Sequence, residues 1–230
     1  MNKIGIIGAM EEEITLLKEL MTDITVSEIA GLTFYMGRIN DTDLVVVRSG
    51  IGKVNAAMCT QILIDRFEVK AIINIGVAGA IADDLEIGDI VLSTKLIEHD
   101  FDVTAFGHKK GVIPRMDSSI FIADDKLIDM ASDAAKDLKD VYVKKGIVVS
   151  GDVFVSSSEL KDALQTEFNA DCAEMEGAAI AHVCMLNKMP FLVIRAMSDK
   201  ANGEAPDNFD EFVFEAAKNS KKLILNMLTK

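Results

Sequence analysis

One stretch near the end of the chain, residues 172–199, limits most strongly what this sequence can fold into. It reads as a strand end, a helix and a second strand, and the second strand is the apolar run 191–194. An uninterrupted apolar run of this length is typical of a central parallel strand that is covered on both faces. The stretch therefore indicates a sheet buried between helices.

The helix inside this stretch, predicted at residues 176–187, is apolar almost all the way round, which is typical of a helix buried in a domain. Its first residue, Glu176, stands where the helix dipole favours a negative charge. Ligands of open α/β sheets bind beyond the carboxyl ends of the strands, so we expect Glu176, Arg195 and Asp199 to converge on one crevice. The plain alternative is that Glu176 is only a helix-terminal charge and Asp199 only a loop acid.

Strands and helices alternate along the rest of the chain. Apolar runs bounded by turn residues predict strands at 4–7, 24–30, 32–39, 44–49, 71–76, 89–99 and 146–149. Helical patterns predict helices at 11–20, 54–67, 126–138 and 209–228. This alternation indicates the α/β class, with a central mixed, mostly parallel twisted sheet flanked by helices. Because no repeat or linker composition interrupts it, we expect a single domain spanning residues 1–230.

Charge and cysteine content exclude several classes of function. The net charge of -13 argues against binding DNA or RNA, because such binding depends on neutralising phosphates. Three cysteines in apolar settings are too few for a disulfide framework and predict a reducing, cytoplasmic location. Residues 1–10 lack the pattern of a signal peptide, and no apolar run is long enough to cross a bilayer, so we expect no membrane contact.

Metal and cofactor sites are not predicted either. The histidines at positions 99, 108 and 182 share no ligand spacing, and we expect each to be an ordinary core or surface residue. The sequence contains no dinucleotide-binding fingerprint, no phosphate-binding P-loop and no GxSxG nucleophile motif. We therefore expect chemistry that amino-acid side chains perform alone.

The first predicted strand is followed by three successive glutamates, Glu11, Glu12 and Glu13. Their negative charges would repel a phosphate, so this position favours a neutral or cationic ligand near Glu13. Glycines follow several other strands, including Gly79, and let the backbone approach a ligand closely. The polar groups and the glycines therefore predict a small-molecule site at one edge of the sheet.

The same residues fall into motifs that resemble those of the 5'-methylthioadenosine/S-adenosylhomocysteine nucleosidases, a family of the nucleoside phosphorylase superfamily. The motifs are IGIIGAMEEE at 4–13, SGIGKVNAA at 49–57, INIGVAGA at 73–80, HDFDVTAFG at 99–107, VSGDVF at 149–154, AEMEGAAIAHVC at 173–184 and RAMSD at 195–199. They stand in the order of the family and cover essentially the whole chain. The resemblance implies a nucleoside phosphorylase-like fold and a homodimer.

The resemblance also implies a reaction and a set of roles. Adenine would be released by hydrolysis from methylthioadenosine, S-adenosylhomocysteine or 5'-deoxyadenosine, as in methionine salvage, without a cofactor. Asp199 would hold a proton and give it to adenine N7, while Glu13 would activate the attacking water. Glu176 would accept hydrogen bonds from the ribose hydroxyls and stabilise the cationic sugar. Arg195 would be the counter-charge that makes these buried carboxylates tolerable.

Family comparison further implies the walls of the pocket. Phe154 would stack on adenine, the backbone of Val155 would bind the edge of the base, Ser198 would place Asp199, and Met175 would pack under the ribose. The alkylthio group would lie among Met10, Ile51 and Phe209, together with Val103, Phe106 and Pro114 from the partner subunit.

Two positions depart from the family pattern. Val77 stands where a small polar residue, often serine, is usual beside the ribose, which bears on ribose-side contacts. His108 stands where a tyrosine is frequent near the alkylthio group, which bears on substrate preference.

Three other readings compete with this one. A phosphorylase of the same superfamily would need basic groups where Glu11, Glu12 and Glu13 stand. Aminodeoxyfutalosine nucleosidases would use the same acid, base and ribose contacts on another substrate. A nucleoside-binding module without activity would lack either the acid or the base, whereas both Glu13 and Asp199 are present.

Overall fold

The computed structural model describes residues 3–201 and 209–229, and of residues 209–215 it describes the backbone. Ten strands in this part of the chain are β1 Ile4–Gly8, β2 Thr22–Ile29, β3 Leu32–Ile39, β4 Thr42–Arg48, β5 Ala71–Ala80, β6 Ile90–Glu98, β7 Phe121–Ile122, β8 Val143–Ser150, β9 Cys172–Glu174 and β10 Phe191–Asp199. The α-helices described are α1 Glu11–Lys18, α2 Lys53–Phe67, α3 Asp125–Ala135, α4 Ser158–Phe168, α5 Gly177–Leu186 and α6 Phe209–Thr229. A short 3-10 helix, Thr104–Phe106, lies in the long connection after β6.

The strands form one mixed sheet, and the predicted α/β class is confirmed. Parallel pairs occupy its centre, where β1 lies between β4 and β5 and β5 pairs with β10. The hairpin strands β2 and β3 extend one side with antiparallel pairs. None of the helices described is long and apolar enough to cross a membrane.

Part of the sheet closes on itself. One edge of β5 pairs with β1 over Ala71 to Asn74 and then with β9 at Gly79 and Ala80, while its other edge pairs with β10. From β10 the pairing continues through β6, β8 and β9 back to β5, so five strands form a ring. Closure removes the exposed edges that an open sheet would leave and brings the ends of β5, β9 and β10 together.

Two strands run further than their apolar runs predict. We predicted that β10 ends at residue 194 and β5 at residue 76, but the two strands pair as far as Asp199 and Gly79. Because each strand satisfies the hydrogen bonds of the other, glycines and polar residues continue the ladder. A register shift between Met197 and Asp199 bends the end of β10, as β-bulges do, and re-aims its last side chains.

Helix α5 is buried, as its composition predicts. Ile180, Ala181 and Cys184 are inaccessible to solvent, and the helix packs against α2 and the sheet. Gly177, the first residue of α5, lies close to the sheet. A Cβ there would be 3.0 Å from Val193 of β10 and 3.1 Å from Leu96 of β6, so a glycine allows this approach. This close approach fixes the start of α5 against the strands that carry the polar residues.

Candidate active site

A cavity of about 200 Å³ opens where β1, β5, β9 and β10 end. Most of the residues that the sequence predicts for catalysis or substrate contact line it; they are Met10, Glu13, Ile51, Gly79, Phe154, Met175, Glu176, Ser198 and Asp199. Val77, Ala78, Ala173 and Glu174 complete much of the wall. The sheet thus brings residues from both ends of the chain to one cavity.

Two of the predicted residues lie outside this wall, and the side chain of a third is not described. Val155 borders a narrow space of about 20 Å³ that shares Phe154 and Asp199 with the main cavity. Arg195 is only 1% exposed and does not reach the cavity wall. The side chain of Phe209 lies outside the described residues.

The residues predicted to come from a partner subunit do not line the cavity of their own chain. Val103 and Pro114 are half-buried in the long connection after β6. Phe106, at the end of the 3-10 helix, is 83% exposed. In this chain these three residues are therefore surface or near-surface residues.

Glu13 is positioned by its own helix. Met10 is the N-cap of α1, and the Glu13 carboxylate turns back as in a capping box. Its Oε2 accepts hydrogen bonds from the backbone N–H groups of Ala9 at 2.6 Å and Met10 at 3.0 Å, and its Oε1 accepts one from Val77 at 3.2 Å. Burial raises the pKa of Glu13, while the charge of Arg195 and these amides act in the opposite direction.

Arg195 lies beneath the cavity as a shared counter-ion. Its Nη2 donates to Asn74 Oδ1 at 2.6 Å and to the carboxylate of Glu174, and lies 3.7 Å from Glu176 Oε2. A Cβ at Gly76 would lie 1.7 Å from Nη1 of the arginine, so only glycine leaves room for it. The guanidinium therefore acts on the cavity through the carboxylates that it holds.

Glu176 is the N-cap residue of α5 and is almost fully buried. Its Oε1 accepts a hydrogen bond from the backbone N–H of Gly52 at 2.9 Å. Burial and, after it, the neighbouring charge of Glu174 raise the pKa of Glu176 to about 7, although the charge of Arg195 acts in the opposite direction. This carboxylate can therefore change its protonation state near neutral pH.

Glu174 is a member of the site that the sequence analysis left without a role. It accepts hydrogen bonds from the N–H groups of Gly177 at 2.7 Å and Glu176 at 3.1 Å, and from the hydroxyl of Ser150. It therefore caps α5 from outside the helix, as well as pairing with Arg195. In the sequence, the position of Glu174 just before a predicted helix start is the one sign of a role in the site. Only the fold shows that it lines the cavity.

Asp199 is held by two hydrogen-bond donors. Ser198 Oγ donates to its Oδ2 at 2.9 Å, and the backbone N–H of Ala201 donates to its Oδ1 at 2.8 Å. A Cβ at Gly79 would lie 3.0 Å from Asp199 Oδ1, so this glycine leaves room for the carboxylate. The side chain is 4% exposed and borders the same cavity as Glu13.

A set of three charged residues ties two loops at the mouth of the cavity, and we call Lys53, Asp100 and Asp152 the Lys53 clamp. The Nζ of Lys53 donates to Asp100 Oδ1 at 2.6 Å and to Glu98 Oε2 at 3.1 Å. The backbone N–H of Lys53 donates to Asp152 Oδ1 at 2.8 Å, and that of Asp152 donates to Asp100 Oδ2 at 2.9 Å. The clamp thus holds Gly52 in place from one side.

The histidines lie apart from this chemistry. His99 is buried, His108 is exposed, and Nδ1 of His182 lies 2.9 Å from Glu98 Oε1. Among the described residues no three His, Cys, Asp or Glu side chains are arranged to hold a metal ion.

The arrangement supports acid–base chemistry on a neutral or cationic ligand. Carboxylates from α1, the start of α5 and β10 border one cavity, and Arg195 lies beside Glu176. Such a cavity can place an acid and a base around one bond while negative charge stabilises a developing cation.

Comparison with known proteins matches the whole chain. A family model described as the phosphorylase superfamily covers residues 3–229. A 5'-methylthioadenosine/S-adenosylhomocysteine nucleosidase of Staphylococcus carnosus is 46% identical over 98% of both chains. An aminodeoxyfutalosine nucleosidase of Campylobacter jejuni is 44% identical over the full length of both. The crystal structure of a methylthioadenosine/S-adenosylhomocysteine nucleosidase from Colwellia psychrerythraea in complex with adenine has a TM-score of 0.94 at 43% identity, covering 99% of this chain and 95% of that one.

Proposed function

The chain belongs to the 5'-methylthioadenosine/S-adenosylhomocysteine nucleosidases of the phosphorylase superfamily, and we propose that it hydrolyses the N-glycosidic bond of these two nucleosides. The products are adenine and the corresponding thioribose. 5'-Deoxyadenosine, which carries the same base and sugar, is a further substrate.

The reaction needs an acid for the base and an activated water for the sugar. Asp199 gives its proton to adenine N7, and the electrons of the C1'–N9 bond move onto the adenine. Glu13 takes a proton from water as the oxygen bonds to C1' of the cationic sugar. Glu176 accepts hydrogen bonds from the ribose hydroxyls, and its charge stabilises the cation.

One observation carries the choice of hydrolysis over phosphorolysis. The backbone N–H groups of Ala9, Met10 and Val77 all donate to the carboxylate of Glu13. Converging backbone amides are suited to binding an anion, and here a built-in anion occupies two beside the start of α1 and one in β5. A phosphate would have to displace Glu13 and approach Glu174 and Glu176, so water is the available nucleophile.

Incubation with methylthioadenosine, with and without phosphate, tests the reaction directly. We expect free adenine and methylthioribose at the same rate in both buffers. Appearance of methylthioribose 1-phosphate, or adenine only when phosphate is present, would show a phosphorylase instead.

Substitution of the two carboxylates tests their roles. We expect Asp199→Asn and Glu13→Gln each to lower kcat by roughly a thousandfold, because each removes a proton-transfer group. Circular dichroism and thermal unfolding should show both variants folded. A variant that releases adenine at close to the wild-type rate would remove its residue from the mechanism.

The proposed enzyme is a homodimer in the cytoplasm. Val103, Phe106 and Pro114 of the partner subunit complete the alkylthio pocket beside Met10 and Ile51. The exposure of Phe106 and the half-exposed Ile51 at the rim of the cavity support this proposal, because a second chain would cover both.

Aminodeoxyfutalosine is a second candidate substrate, because a relative that is 44% identical over its full length carries that name. The same acid, base and ribose contacts would serve it. Comparing kcat/KM on the two nucleosides decides between them, and we expect methylthioadenosine to be the better substrate.

A further inference from the structure

A second cavity of about 210 Å³, mostly polar, lies beside the nucleoside cavity. Met10 and Ile51 line the nucleoside cavity, whereas their chain neighbours Glu11 and Gly50 line the second one. Because Met10–Glu11 and Gly50–Ile51 are consecutive residues, with Cα atoms about 3.8 Å apart, the two cavities adjoin along both chain segments. The side of the nucleoside cavity assigned to the alkylthio group therefore faces the second cavity.

The second cavity carries one carboxylate and one guanidinium. Oε1 of Glu11 is anchored on the helix by Lys18 and by Thr15 Oγ1 at 3.1 Å, and its Oε2 lies 3.8 Å from Arg48 Nε. That separation is too long for a hydrogen bond. Among the described residues, Glu11 is the one charged partner of the Arg48 guanidinium. The arginine side chain is 60% exposed. Both groups can therefore take a polar ligand.

Opposite charges at this distance suit a zwitterion. S-Adenosylhomocysteine differs from methylthioadenosine in that a 3-amino-3-carboxypropyl group replaces the methyl group on sulfur. Its ammonium and carboxylate leave the nucleoside cavity on the alkylthio side, and both must be solvated or paired. The pKa of Glu11 is held below its usual range, chiefly by its hydrogen bond from Lys18, so it is ionised at neutral pH.

We propose that the second cavity binds the amino-acid end of S-adenosylhomocysteine, with Arg48 pairing with the carboxylate and Glu11 with the ammonium group. The inference rests on the proposed function and adds a subsite to it. Partly exposed pairs contribute modestly, so we expect effects of roughly threefold to tenfold on kcat/KM.

The test measures kcat/KM on four nucleosides. These are methylthioadenosine, S-adenosylhomocysteine, and two analogues whose sulfur carries either a 3-aminopropyl or a 3-carboxypropyl group. Relative to methylthioadenosine, Arg48→Met should lower the value for S-adenosylhomocysteine and the carboxypropyl analogue, leaving the aminopropyl analogue unaffected. Glu11→Gln should lower the value for S-adenosylhomocysteine and the aminopropyl analogue instead.

Two matched controls separate this subsite from general surface charge. Glu12→Gln changes an exposed glutamate next to Glu11, and Arg38→Met changes a half-exposed arginine that pairs with Asp43 away from the cavity. Neither should alter the ratio between substrates. The subsite is wrong if Arg48→Met and Glu11→Gln leave the ratio unchanged, or if the controls change it equally. Adenine release from methylthioadenosine by the wild type reports separately on the proposed function.

Discussion

Three buried carboxylates, Glu13, Glu174 and Glu176, face the guanidinium of Arg195. One positive charge cannot offset three negative ones, so part of the burial cost remains. Glu176 shows this cost as a raised pKa: burial and the nearby charge of Glu174 raise it to about 7. The carboxylate that we propose binds the ribose therefore lies where its ionisation is unfavourable.

Glu176 should make activity and stability respond to pH in opposite directions. In the proposed mechanism its ionised form accepts the ribose hydroxyls, so we expect kcat/KM to fall as pH decreases through about 7. The folded protein binds this proton more tightly than the unfolded chain, so its contribution to stability is present below about pH 4.5 and lost as pH rises through about 7.

Glu176→Gln tests the stability half of this prediction. Because glutamine does not ionise, the Tm of the variant relative to the wild type should rise between pH 5 and pH 8, by about 5 °C. Differential scanning calorimetry at the two pH values measures the change. A Tm difference that does not depend on pH would contradict the raised pKa.

Hydrogen bonds between charged residues hold the loops beside the cavity together. The Lys53 clamp joins the start of α2 to the ends of β6 and β8, and so holds Gly52 where its N–H reaches Glu176. Gly52 has a φ of 97°, which strains other residues, so the loop depends on both the glycine and the clamp. The effect of the clamp on the cavity is indirect, through one backbone amide.

Lys53→Met should lower kcat/KM on methylthioadenosine by about tenfold, because the Gly52 contact loosens on the ribose side. The acid limb of the pH profile should also move upward, since the Gly52 hydrogen bond lowers the pKa of Glu176. Lys144→Met is a matched control, as Lys144 likewise bridges two carboxylates, those of Asp84 at 2.7 Å and Asp171 at 2.9 Å, outside the cavity.

Both lysine variants should lose similar amounts of thermal stability. Only the variant at position 53 should change the pH profile. Equal loss of activity in the two variants would mean that the clamp stabilises the fold without positioning the loop.

At the scale of the whole molecule, large apolar side chains remain exposed at the rim of the cavity and in the connection after β6. Ile51, Val54 and Phe154 are more than half exposed in the single chain, and Phe106 is the most exposed large apolar residue described. Exposed apolar side chains beside a cavity are typical of an interface. The proposed homodimer would cover this surface and exclude water from the cavity.

Mixing two inactive variants tests whether the site is shared between subunits. Phe106→Asp should abolish activity by damaging the partner's pocket, and Asp199→Asn by removing the acid. In a mixed dimer, the site with an intact Asp199 receives an intact Phe106, so co-expression in equal amounts should restore about a quarter of wild-type activity.

Size-exclusion chromatography with light scattering should give twice the mass of the chain for each variant alone or for the mixture. If Phe106→Asp is inactive alone and mixed dimers restore no activity, Phe106 acts within its own chain.

Local patterns in the sequence determined the order of most strands and helices, the burial of α5, and the motifs that carry Glu13, Glu176 and Asp199. These features depend on the period of apolar residues and on helix starts, which neighbouring residues set by themselves. They are therefore readable without the fold, and the predicted α/β class is confirmed.

Only the tertiary structure decided how far β5 and β10 run, that the sheet closes into a ring, and that Glu174 borders the cavity while Arg195 lies beneath it. Each of these depends on a partner distant in sequence: Gly79 continues a strand because Asp199 pairs with it, and Gly76 leaves room for Arg195. Pairings of this kind leave no periodic signal, because their free energy comes from groups that meet only after the chain has folded.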